Sequence, residues 1–400
     1  MQTIKVGSFF IRTIIATMAT LFIMVPEILA QTKVVVIPLG GDDIVPLQNV
    51  IRVAKNGGDF DNPSTAIESL SANLVGEQEV SQTVVFIAPG DYVLSNQVVL
   101  PANVHLVGSG MNNTRLLSSQ SSNASREAGA ALVLERDSLI SNLTLVSENG
   151  AQTQTVGIYS DQVSAPGGES TGAIVENVSV VVKGFNSVGA AIVAQGAEMH
   201  LNSVQVYVGD GGSTSTGLLV DSNAKVRVIN SSVVLDLNGA NGGTGIYALS
   251  GSELEVSNAN INVSGGGGVL RAAYGELAER IDILHSTLVV DGQGFQDGVL
   301  NFKSHIDLKD SRVIVSDFSS VQSKVGIRNS GSSPFPTFYV SASHIIAPTT
   351  VEAGANGFGS STSFITDSVL DGAVPTGDVR CDFVFTSAGT ELDSTCGAGS

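Results

Sequence analysis

The sequence predicts an all-β protein, a single-chain parallel β-helix whose short strands stack coil upon coil. Three observations carry that prediction. The stretch Gly217–Leu237 (GLLVDSNAKVRVINSSVVLDL) returns from Gly245 as GIYALSGSELEVSNANINV, and weaker copies run from about Leu132 to Leu370. Within each copy, aliphatic and polar residues alternate with a period of two, the mark of a half-buried strand. The composition is rich in Val, Ile, Leu and Ala, contains 45 Gly and no Trp, and so favours strands and tight turns over helices. A solenoid grows by adding repeats, so 400 residues need not mean several globular domains.

The clearest copies align in columns. Lys225, Glu253, Arg280 and His305 occupy one position, with gaps of 28, 27 and 25 residues. Two residues later come Arg227, Glu255, Asp282 and Asp307, and the flanking Val, Leu and Ile residues alternate with these charges. Five residues after the first position come Asn230, Asn258, His285 and Asp310, and eight after it Val233, Ile261, Leu288 and Val313. Alternation puts the aliphatic columns inside the coil and the charged columns outside. The Asn/His/Asp column falls between two strands, where a corner residue that tolerates the left-handed backbone is needed. An isolated coil cannot bury its apolar face, so only the stack is stable. Roughly nine coils at about 4.8 Å each would extend for about 45 Å.

Taken in order, residues 1–30 read as a secretory signal: Lys5 and Arg12 precede the apolar stretch Thr13–Val25, and Ile28-Leu29-Ala30 offers a cleavage site. That apolar stretch is too short to span a bilayer, and no later segment reads as a membrane span. Residues 31–130 hold the first strands and one short helix. Lys33–Asp43 is a strand ending in the turn Gly40-Gly41-Asp42-Asp43, and Ile51–Phe60 is a strand ending in a Gly turn. Thr65-Ala66-Ile67-Glu68 fits a capping box after Pro63, and Ala66, Ile67, Leu70 and Leu74 share one helical face. Such a helix suits the open apolar end of a β-helix. Val84–Ile87, Val98–Leu100 and Val104–Val107 follow as strands. Residues 131–378 carry the repeat. Each coil leaves through a Gly-rich segment (209–216, 238–244, 264–268, 291–298), and a new strand is expected to start at Gly217, Gly245, Gly298 or Gly326. Residues 379–400 form a C-terminal cap, tied by a disulfide between Cys381 and Cys396 if the chain is exported.

The motifs VAKNGGDF (53–60), FIAPGDY (86–92) and VHLVGSG (104–110) resemble the opening of pectin methylesterases and related members of the pectin-lyase-like superfamily. The resemblance implies a right-handed parallel β-helix. It does not carry over the esterase machinery. The Gly-x-Tyr-x-Glu motif fails at Leu94, no Gln-Asp-Thr-Leu equivalent is present, and Asp382-Phe383-Val384-Phe385 matches the second carboxylate motif only at the chain's end, before Thr386.

Other chemistries leave little trace. The five His (105, 200, 285, 305, 344) lack metal-ligand spacing, and no Gly-x-Ser-x-Gly elbow occurs. The Gly-rich loops carry too few Asp for tandem Ca²⁺ nonapeptides. Removing residues 1–30 takes the net charge from −18 to −19, which repels nucleic acid and anionic membranes. With six scattered Tyr, no strong aromatic sugar platform is expected. The outward stripe of Arg227, Glu253, Glu255, Arg280, Asp282, His305 and Asp307 is the place to look for function. Its simplest reading is a cross-strand salt ladder on a solvated face. The expected function is an exported, non-catalytic surface or extracellular scaffold that binds a polysaccharide or other cell-surface component weakly, with no catalytic residue and no metal. The alternative is an enzyme of the lyase type on acidic polysaccharide, in which the carboxylates would hold Ca²⁺ beside Arg227 or Arg280.

Overall fold

The structure, a computed structural model, describes residues 49–72, 82–161, 172–237, 242–316, 323–330, 337–353, 362–373 and 375–397. The signal segment, the strand and turn expected at 33–43, Leu74, and residues 238–241 of one Gly-rich loop lie outside these.

The described chain is a stack of parallel strands in which each strand pairs with its copy in the next coil. Lys225–Ile229 pairs with Glu253–Ser257, and that strand with Arg280–Leu284, in the register read from the sequence. The same register extends one coil earlier, where Glu198 and His200 lie opposite Lys225 and Arg227. Each coil contributes to three faces. The first sheet contains Lys225–Ile229, the second Ser232–Leu237 and the third Gly242–Leu249, each with its stacked copies. Inside run the aliphatic columns, such as Val226, Leu254, Ile281 and Ile306, all buried. The stacking continues past Val315 through Thr337–Ser341 and Thr362–Thr366 to Val379–Asp382.

The corner between the first and second sheets is a left-handed column. Asn142, Asn177, Ser203, Asn230, Asn258, His285, Asp310, Ala342 and Asp367 all have φ between 48° and 56°, one to each coil of the repeat. The residue types make physical sense, since Asn and Asp adopt this backbone region most cheaply among residues with a side chain. The corner amides also find partners along the stack: Asn230 N donates to Ser257 O at 3.1 Å, and His285 N to Lys309 O at 3.0 Å. The next column is a buried serine ladder. Ser286 Oγ accepts from Ala259 N and donates to Leu284 O, and Ser311 and Ser343 repeat the arrangement. Without these hydroxyls, buried backbone groups at the tight corner would go unpaired.

Helix α1 spans Pro63–Ala72. Its N-cap is Asn62, not Thr65: Ser64 N donates to Asn62 Oδ1 at 2.8 Å, while Thr65 Oγ1 turns back to Asn62 O. Pro63 thereby sits at the first helical position, where its missing N–H costs nothing. Ala66 and Ile67 are buried in the main core and Leu70 packs against it, as the helical face predicts.

The Gly-rich segments differ from expectation at their ends. Gly217 and Gly245 lie inside the strands Thr214–Asp221 and Gly242–Leu249, not at their starts. Cys381 and Cys396 form a disulfide across a sequence separation of 15. Closing a loop of that size stabilises by about 3 kcal/mol. A Cys381→Ser/Cys396→Ser variant should lose hydrogen-exchange protection in 379–397 while the central coils keep theirs.

Candidate functional site

The first sheet places the sequence-predicted stripe together on its outer surface. Lys225 Nζ meets Glu253 Oε1 across the strands at 2.7 Å, and Arg227 meets Glu255 at 3.1 Å. Arg280 does not continue the ladder to Glu253. It turns to Asp282 on its own strand at 2.8 Å and reaches Asp307 at 3.8 Å, and His305 Nε2 approaches the same Asp307 at 3.3 Å. These exposed pairs contribute about 0.2–1 kcal/mol each. They line two shallow grooves of about 250 Å³, one from Glu198 to Asp282 and the other from Arg280 to Ser341, which share Arg280 and Asp282. The carboxylates are thus committed to cationic partners. Among the described residues no group of three or more His, Cys, Asp or Glu side chains is placed to hold a metal ion, so the stripe does not fit a Ca²⁺ site.

The column of Arg227, Glu255, Asp282 and Asp307 continues into Tyr339 and Phe364. Tyr339 stacks on Phe364 with ring centroids 5.2 Å apart, and His305 tilts against its other side at 5.6 Å. Tyr339 remains 41% exposed and lines the second groove. The sequence reading stopped short of it because the coil spacing lengthens here: Asp307 and Tyr339 are 32 residues apart, outside the earlier gaps.

The third sheet carries a second cluster that sequence reasoning missed. Its outward residues Ala130, Val133, Val156, Tyr159, Ala190, Val193 and Leu219 form a buried apolar cluster separate from the core. Further along, Tyr247 and Tyr274 stack at 4.6 Å with Arg271 over the Tyr274 ring, and Tyr247 donates its hydroxyl to Glu276. Burial and the Glu276 carboxylate push Tyr274 up to about 12 and raise Tyr247 as well, so both are neutral donors at ordinary pH. One coil on, Asp297 is held between Arg328, 2.8 Å from its Nε, and Arg271, at 3.6 Å; Arg328 also binds Glu352 at 2.6 Å. The Asp297 side chain is only 7% exposed. A signal existed: Tyr247 and Tyr274 are 27 residues apart, the same gap that sets the charged columns.

The stacked parallel coils, with one short helix among the described residues, make this a pectin-lyase-like parallel β-helix protein. Residues 41–269, more than half of the sequence, match the family described as Rhamnogalacturonase A/epimerase, pectate lyase-like, and the chain belongs to that family. It is a carbohydrate-related β-helix protein. Similar solved structures include the A-module of the mannuronan C-5 epimerase AlgE6 from Azotobacter vinelandii (16% identity, TM-score 0.47, covering 81% of this chain and 94% of that one). Others are the DFA-IIIase of Arthrobacter chlorophenolicus A6 without its lid (14%, 0.42, 88% and 97%) and the pectin methylesterase PemA of Erwinia chrysanthemi (13%, 0.31, 87% and 92%). No curated protein matches the chain in sequence.

Proposed function

We propose that the protein is an exported β-helix protein that binds a polysaccharide along the outer surface of its first sheet. The observation that carries this reading is the groove from Arg280 to Ser341, where an exposed aromatic ring, Tyr339, stands in line with hydrogen-bonding charges at Asp282, Asp307 and Lys309. Sugar recognition draws on that pairing: a ring face for C–H groups, and carboxylates and cations for hydroxyls. The family supports a carbohydrate ligand, and the disulfide supports an oxidising compartment, periplasmic or extracellular. The binding is non-catalytic and needs no metal. No helix among the described residues is long and apolar enough to cross a membrane.

The test is affinity electrophoresis of the purified mature chain through gels containing neutral or uronate polysaccharides. At least one polysaccharide should retard it, and Tyr339→Ala should weaken that retention about tenfold, about 1.4 kcal/mol. Equal retention of wild type and Tyr339→Ala by every polysaccharide would remove the first sheet as the site.

A second reading is favoured by Asp297. A carboxylate this buried on an outward face, flanked by two arginines and beside two neutral tyrosines, is a composition found in catalytic sites as well as in structural ion networks. Under this reading the third sheet processes the glycan. New reducing or unsaturated ends from any of the same polysaccharides, lost in Asp297→Asn, would establish it and exclude a purely binding role.

A further inference from the structure

The largest groove on the described surface lies on neither of these faces. It has a volume of about 530 Å³ and follows the corner between the first and second sheets, from Asn177 through Ser203, Asn230 and Asn258 to His285. Five successive coils line it, so it extends for about 19 Å at the strand spacing. Its lining differs from the stripe one strand away. It contains no Lys, Arg, Asp or Glu, and consists of amides, hydroxyls, small side chains and one histidine, with Met111 at one end. The amides of Asn230, Asn258 and Asn260 stand exposed along it.

We propose that this corner groove binds a linear, uncharged oligosaccharide, lying parallel to the stack and separate from the stripe. Each carboxamide offers two donors and an acceptor, matching sugar hydroxyls that both donate and accept. A row of such groups repeated at strand spacing suits a linear polymer better than a compact ligand. A polyanionic chain has no cation here to pair with, and the net charge of −18 opposes it. The left-handed backbone that fixes the corner also turns these side chains away from the core, so the residues that close the coil line the groove.

The corner can be altered without breaking the fold, because Asp310 and Asp367 already occupy the same column with φ of 49° and 48°. Asn230→Asp/Asn258→Asp therefore keeps shape and backbone while replacing amide donors with charge. The probes are cellohexaose, xylohexaose, laminarihexaose and maltohexaose, titrated calorimetrically into the mature chain. At least one should bind with an affinity that is unchanged between about 0.05 M and about 0.5 M NaCl, since no charges meet across the site. The double variant should bind it at least tenfold more weakly, while Arg280→Ala and Tyr339→Ala leave it unaltered. Failure of all four to bind would overturn the proposal. So would binding lost in Arg280→Ala or Tyr339→Ala but kept in the corner variant, which would move the ligand to the stripe. Binding only of an extended peptide would make the groove a protein-docking site and equally overturn it. The stripe reading is independent, because its own test uses Tyr339→Ala.

Discussion

Arg328→Ala should destabilise the coils around it by about 3–5 kcal/mol, the cost of removing one partner from a buried ion pair. Arg328 is 15% exposed and holds three partners at once: Asp297 at 2.8 Å, Glu352 at 2.6 Å and Ser323 Oγ at 2.8 Å. Without it, Asp297 keeps only Arg271, at 3.6 Å, for a carboxylate largely shut off from water. Arg328→Lys keeps the charge but loses the fork that grips two carboxylates, so an intermediate loss follows. Arg227 is the fitting comparison. It also pairs with a carboxylate, Glu255, but both are well exposed, and Arg227→Ala should cost no more than about 1 kcal/mol. Urea unfolding followed by circular dichroism, with hydrogen exchange to locate the loosened coils, separates the two. Equal midpoints for Arg328→Ala and Arg227→Ala would mean that the third-sheet network is solvated and carries no burial cost.

The contrast between those two arginines also marks what the sequence could reveal. Arg227 was legible because it sits in a short coil with even spacing, where Lys225, Glu253 and Arg280 set a column and alternation alone assigns the outside. The corner was legible for a related reason: Asn230, Asn258, His285 and Asp310 share a backbone requirement that few residue types meet. Arg328 and Asp297 offered neither clue. They lie on neighbouring columns of a bent strand, where two residues separate successive outward positions and the period-two rule fails. Ala190 and Val193 show the same bend, outward yet apolar and buried, so hydrophobicity there does not distinguish core from surface. Tyr339 was missed because its coil is longer, although its pairing partner Asp307 was identified. The helix was found with its cap misplaced by three residues, since Asn62 lies before a proline and Thr65 offered the familiar box. The ladder expected from Lys225 to Arg280 broke because a nearer carboxylate, Asp282, stands on the same strand.

That bend in the third sheet is where the fold tolerates change least, and Gly245→Val should cost more than about 3 kcal/mol or prevent folding. A Cβ at Gly245 would lie 2.5 Å from Ile261 Cγ2 and 2.6 Å from Ala272 O, closer than packed atoms approach. Gly217, one coil before, faces the same obstruction from Val233 and from Gly245 O, and Gly298 and Gly326 meet it further along. The requirement is space, not backbone freedom: φ at these four positions is not in the left-handed region. They recur because the third-sheet strand turns its bend against the aliphatic side chains of the second sheet. Ala272 stands in the same column, so Gly245→Ala is the graded comparison, with a cost of about 1–3 kcal/mol as Ile261 shifts. Gly57 provides the control. A Cβ there meets nothing within 4 Å, so Gly57→Ala bears only the strain of its φ of 70°, about 1–2 kcal/mol. Soluble yield and urea midpoint should fall in the order Gly57→Ala, Gly245→Ala, Gly245→Val. A Gly245→Val protein with the wild-type midpoint would show that the bend does not press against Ile261, and the interleaving of second and third sheets would have to be redrawn.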